Sequence, residues 1–81
     1  MNHIEFTDKE VKAFHRKIIE NIKRIRKGKG ITQLELALTI GHKSMSTIGK
    51  IEANVEDKHY NIEHLYKIAM ALDVDVCEFL E

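Results

Sequence analysis

Apolar residues recur along this 81-residue chain at intervals of three and four rather than two, which is the period of helices and not of strands. Val11, Phe14, Ile18, Ile22 and Ile25 fall on one helical stripe, with Lys and Arg around the rest. Before them stands Phe6-Thr7-Asp8-Lys9-Glu10-Val11, which holds three helix-start devices. Thr7 is placed as N-cap, Glu10 closes a capping box, and Phe6 and Val11 have the spacing of a hydrophobic staple. The pattern therefore predicts a first helix from Asp8 to about Lys27, ended by the permissive Gly28 and Gly30.

Thr32-Gln33-Leu34-Glu35 is a second capping box and opens a helix with Leu36, Ala37 and Ile40 inward, stopped by Gly41. Ser44 is the best N-cap for a third helix, with Ile48 and Ile51 buried, Met45, Ser46, Gly49 and Lys50 outward, and Ala53-Asn54 at its end. Val55 to Tyr60 is charged and without period, and predicts a loop. Asn61 then caps a helix carrying Ile62, Leu65, Ile68, Ala69 and Leu72, which Asp73 breaks, and Asp75 caps a final short helix bearing Val76, Phe79 and Leu80. A weak strand possibility exists at residues 3–6, and there is no internal repeat. The expectation is an all-α single domain over residues 1–81, with five helices and an arm at 1–7.

Two short helical patterns separated by a tight turn, residues 33–53, read as a helix-turn-helix, which presents the polar start of its second helix to base-pair edges in the major groove. The formal net charge of zero is unhelpful to that reading, but its distribution is uneven. Residues 9–50 carry eleven Lys and Arg against three acids, whereas residues 51–81 carry two lysines against eight acids and residues 1–8 add two more acids. Phosphate contact depends on local charge, screened over about 8–10 Å, so a polarised neutral protein can still grip DNA with its basic half. A solvated, salt-bridged helix surface accounts for the same charges.

With 43% hydrophobic, 32% charged and no proline residues, the chain matches a helical globular domain, and no apolar run approaches the roughly 20 residues that span a bilayer. The start Met1-Asn2-His3-Ile4-Glu5 is unlike a secretory signal, and the single Cys77 cannot form an internal disulfide, so a cytoplasmic location is expected. Cys77 has no evident activating partner and is expected to be a buried or interface thiol. The histidines at 3, 15, 42, 59 and 64 lack metal-ligand spacing, His59, Glu63 and His64 forming the nearest cluster. Lys27-Gly28-Lys29-Gly30 follows a helix and lacks nucleotide-loop spacing. Neither an enzyme, a cofactor, a metal nor a small-molecule ligand is indicated.

Ile22-Lys23-Arg24-Ile25-Arg26 before Gly30, then Thr32-Gln33, Glu35-Leu36-Ala37, Gly41, Ile48, Ile51-Glu52 and Ile68-Ala69 with Ala71-Leu72, together resemble the phage-repressor-like Cro/XRE-type helix-turn-helix family over Ile18 to Leu80. The resemblance implies a five-helix repressor-like DNA-binding domain, here with an N-terminally extended first helix. Two departures stand out: the turn Gly41-His42-Lys43-Ser44 is one residue longer than usual, and the loop after Glu52 is about two longer and carries Glu56 and Asp57 in place of basic residues.

Met45, Ser46 and Lys50 occupy positions that resemble the family's base-reading sites. Lys50 can donate to guanine, Ser46 to several bases, and Met45 offers apolar contact to a thymine methyl. Gly49 lies one turn beyond Met45 and is either a close-approach point or a tolerated helix glycine. Gln33, at a helix start, together with Lys43, Ser44 and Thr47, is a candidate for phosphates. Lys23 and Arg24 read as solvated, with Lys27 and Lys29 nearer the backbone, and the resemblance implies an Arg26–Glu52 ion pair.

The expected partner is double-stranded DNA, bound by a homodimer on a palindromic site; the resemblance implies an interface at the acidic C-terminal end with Val74, Val76, Phe79 and Leu80, which Phe6, Val11 and Phe14 either cover or join. Two rivals keep the fold and change the role: an antitoxin that neutralises a protein and represses its own operon, and a protein-interaction module that has lost DNA binding. A restriction–modification controller is a subtype of the main reading.

Overall fold

A computed structural model describes residues 4–81 of the chain, so Met1 to His3, including part of the expected arm and of the weak strand possibility, lie outside the described residues. Four α-helices follow in order, α1 (Asp8–Gly28), α2 (Gln33–Thr39), α3 (Ser46–Glu52) and α4 (Ile62–Leu72), with 3₁₀ turns at Val55–Asp57 and Val76–Leu80. No strand occurs among the described residues.

The starts of α1, α2 and α4 are made by the predicted capping side chains. Thr7, Thr32 and Asn61 each accept the backbone N–H three residues on, and Glu10, Glu35 and His64 each reach back to the capping residue. The three ends share one device, in which the last turn closes with a six-to-one and a five-to-two backbone bond around a left-handed residue. Gly30 (φ +71°) serves α1, with Ile31 N–H donating to Arg26 O at 3.0 Å, and Gly41 (φ +97°) serves α2, with His42 N–H donating to Ala37 O at 2.9 Å. Asp73 (φ +55°) does the same for α4 without a glycine.

The core gathers Ile18, Ile19 and Ile22 of α1, Leu36 and Ala37 of α2, Ile48 and Ile51 of α3, and Ile68, Ala69 and Leu72 of α4, closed by Ile40, Tyr60 and Phe79. Several expectations are corrected here. The fifth helix is a five-residue 3₁₀ segment, since a stretch that short gains little from an α ladder. Its Phe79 is fully buried against the chain's own core and is not available to a partner, whereas Val76 and Leu80 are exposed.

Val11 and Phe14 continue the apolar stripe of α1 but stay exposed, Phe14 at 54%. A helix of this length is about 31 Å long and outruns the core beneath it. Ile62 is likewise 85% exposed, in the first turn of α4. Tyr60, placed in a loop by the sequence, belongs to the core, and the loop itself turns through left-handed Asn54, Glu56 and Asp57.

Candidate nucleic-acid interface

Helix α3 is short, and side chains of α1 fix its inner side and its end. The guanidinium of Arg26 grips the Glu52 carboxylate with two bonds, Nε to Oε2 and Nη2 to Oε1, both 2.9 Å, while Nη1 donates to Ile31 O at 2.7 Å. Arg16, one helical segment earlier, donates to the α3 carbonyls of Ile51 (3.2 Å) and Glu52 (2.8 Å) and pairs with Glu20. Both carbonyls lie in the last turn of the helix, where Ile51 O also accepts from Asn54 N–H at 3.1 Å, so a cation is well placed at them. The Arg26–Glu52 pair is the one the family resemblance implied; Arg16 had no local signal, because its acceptors lie 35 and 36 residues away.

The opposite side of α3 is open. Met45 is 52% exposed, and Ser46 and Lys50 are exposed as well. The helix begins at Ser46 with Met45 as the capping residue, one position later than the Ser44 cap expected from sequence. Ser44 still serves the helix start through its hydroxyl, which accepts from Ser46 N–H at 3.4 Å and meets the Ser46 hydroxyl at 3.0 Å. Thr47 is half-buried, while Lys43 is exposed in the turn. Lys43 and Lys50 have no ion pair among the described residues.

Gln33 is half-buried and its amide donates to Glu52 Oε1 at 2.9 Å, which ties the start of α2 to the Arg26–Glu52 pair. Its other amide atom lies beside Gly49, where an added Cβ would meet Gln33 Oε1 at 3.7 Å, an ordinary contact. The protein itself therefore does not require glycine at 49. Gln33 and Gly49 share a recess whose rim carries Lys23 and Lys27. Lys23, assigned to solvent by sequence, thus stands with the candidate residues, because α1 runs past the start of α2.

The two acids of the loop after α3 pair with lysines outside that helix. Asp57 pairs with Lys12 of α1 at 3.2 Å, Glu56 with Lys58 at 3.7 Å, and His59 stacks on His15 with ring centroids 3.8 Å apart. The histidines gather as His15–His59 and His42–His64, not as His59 with His64. Burial, and then the neighbouring His59, lowers the His15 pKa; burial, and then His42, lowers that of His64. No group of three or more ligand-type residues suited to a metal occurs among the described residues. Cys77 is exposed rather than buried, and its hydrogen bond with Asp75 raises the thiol pKa.

A short helix clamped from behind, open in front and preceded by a second short helix across a glycine turn defines a DNA-binding helix-turn-helix domain. The chain belongs to the helix-turn-helix family of Cro/XRE type, whose family model, described as helix-turn-helix, matches residues 22–79, and it is a DNA-binding regulator of that type. No curated protein matches the chain. No helix among the described residues is long and apolar enough to cross a membrane.

Proposed function

We propose that this regulator is a repressor acting in the cytoplasm as a homodimer, bound to a palindromic operator whose half-sites lie about one helical turn, roughly 34 Å, apart. The observation that carries the reading is the asymmetry of α3: Ile48, Ile51 and Glu52 are buried, while Met45, Ser46 and Lys50 face outward. Lys50 donates to guanine, Ser46 to a neighbouring base, and Met45 packs on a thymine methyl. Lys43, Ser44 and Thr47 address the phosphates flanking the helix start, and Gln33 those on the other side of the groove with Lys23 and Lys27. Gly49 lets the helix approach closely.

One short recognition helix gives weak base discrimination, so two tethered copies are needed for useful affinity. The apolar residues left exposed toward the acidic carboxyl end, Tyr66, Met70, Val76 and Leu80, support a second copy there.

Selection from random duplexes followed by a salt titration tests the reading. A recovered inverted repeat that stays bound as salt rises is expected, with Lys50→Ala changing the preferred base and Lys43→Ala weakening all sites alike. Recovery of no motif, with binding lost uniformly as salt rises, would refute it, and a monomer mass in sedimentation at micromolar concentration would refute the homodimer.

A further inference from the structure

The loop that leaves α3 has a costly backbone. Asn54, Glu56 and Asp57 are all left-handed, with φ of +60°, +56° and +54°, and no glycine stands among them. Such angles cost free energy at each residue that carries a side chain, and they persist only where surrounding contacts hold them. Between this loop and the first half of α1 lies a recess of about 240 Å³. A ring stack and an ion pair join the two sides across it. His15 of α1 and His59 of the loop stack with ring centroids 3.8 Å apart and planes 22° from parallel. Lys12 meets Asp57 at 3.2 Å, but both side chains are exposed, so solvent screening leaves that pair weak.

We propose that the His15–His59 stack is a proton-operated latch, which holds the loop after α3 against α1 near neutral pH and releases it once both imidazoles carry a proton. Neutral rings stack without penalty, whereas two imidazolium ions at this separation repel. The charged groups that line the same recess are Asp8, Lys12 and Arg16 of α1 and Asp57 and Lys58 of the loop. They do not offset the second proton: Lys12 is paired with Asp57, Arg16 with Glu20, and Lys58 with Glu56. Asp8 stands two helical turns, roughly 10 Å, from His15 along α1, about one screening length away. His59 Nδ1 lies 3.3 Å from the Asp57 carbonyl, a bond that neutral and protonated rings can both donate.

Burial, and then His59, already lower the His15 pKa. The two rings titrate as a unit, the first proton entering the stack and the second separating it. Release therefore falls below the ordinary histidine value of about 6.5. The end of α3 stays in place, because the bonds that hold it come from Arg16 and Arg26 and involve no histidine.

Nitrogen-15 relaxation of the full chain at pH 7.5 and pH 5.0 tests the latch. Backbone order parameters at Val55–Asp57 are expected to fall from about 0.85 to below about 0.6 on acidification, while those of Ile48 and Ile68 hold. Cross-relaxation between the His15 and His59 ring protons is lost in the same step. His15→Phe keeps a ring against His59 and cannot take a proton, so its loop is expected to stay ordered at both pH values. His59→Phe is the reciprocal variant and serves where the first does not fold. The His42–His64 pair, with ring centroids 5.5 Å apart, is intact in both variants. An equal loss of order in wild type and variants thus has another source and overturns the latch. So does a wild-type loop that is as ordered at pH 5.0 as at pH 7.5, one that is already mobile at pH 7.5, or a loss shared equally by Ile48 and Ile68.

Discussion

The guanidinium of Arg26 meets the carboxylate of Glu52 edge to edge, with two bonds of 2.9 Å and both residues only 5% exposed. The pair joins α1 to the last residue of α3, and Gln33 adds a third bond to the same carboxylate. Removing one partner strands the other charge in the interior, at a cost of about 3–5 kcal/mol. A small domain has roughly 5–15 kcal/mol in all. Arg26→Ala and Glu52→Ala are therefore expected to lower the urea midpoint sharply, and a combined Arg26→Met, Glu52→Leu chain to lose much less. Equal losses in all three chains would show that the pair is not the cause.

The Tyr60 hydroxyl is buried and has no hydrogen-bond partner among protein atoms. Burial first, and the nearby Glu52 second, raise its pKa well above the ordinary value. Tyr60→Phe discards an unsatisfied polar atom while keeping the ring, so it is expected to leave stability unchanged or raise it by up to about 1 kcal/mol. The sign with pH follows from the raised value: the tyrosine's contribution is complete below the unfolded-state pKa of about 10 and is lost as pH climbs beyond it. Unfolding curves at neutral and strongly alkaline pH should show the wild type losing more on the alkaline side than Tyr60→Phe.

Gly49 separates folding from binding. Its φ is ordinary for a helix and the nearest atom to an added Cβ is 3.7 Å away, so Gly49→Ala is expected to stabilise the domain by up to about 1 kcal/mol through helix propensity. If α3 sits close against the groove, the added methyl meets DNA, and affinity for the selected operator falls. Thermal melting and operator titration on the same sample check both halves; undiminished affinity would remove Gly49 from the interface.

His15 and His64 both have pKa values lowered in the folded chain, chiefly by burial. As pH falls through about 6.5, the unfolded chain takes up protons that the folded chain resists. The stability these residues contribute is present above that pH and lost below it. Protonation also removes the acceptor that His64 Nδ1 offers to Asn61 N–H at 3.2 Å in the cap of α4. The fall in melting temperature between pH 7.5 and 5.5 should be smaller in a His15→Gln, His64→Gln chain than in the wild type, and an identical fall would remove histidine as its source.

Much of the candidate interface was legible in the chain. The stretch from Thr32 to Glu52 announced its helices, its turn at Gly41 and its inward Ile48 and Ile51, because each of these depends on neighbours within a turn or two. The start of α3 moved by one residue, with the Ser44 hydroxyl meeting Ser46, through its N–H and its hydroxyl, just ahead of the helix. The nearness of Lys23 to Gln33 and Gly49 had no local signal, because it comes from the packing of elements distant in sequence.

By itself the amino-acid order determined where α1, α2 and α4 start and stop, through capping side chains and left-handed stops whose bonds close within six residues. It also determined which side of each short helix is apolar. Only the tertiary structure decided that Arg16 reaches the end of α3, that Tyr60 fills the core, that Asp57 turns onto α1, and that Val11, Phe14 and Ile62 are left without cover. The physical reason is that burial depends on where other elements end in space. A periodic stripe says which side is apolar and cannot say how far along it the rest of the chain extends.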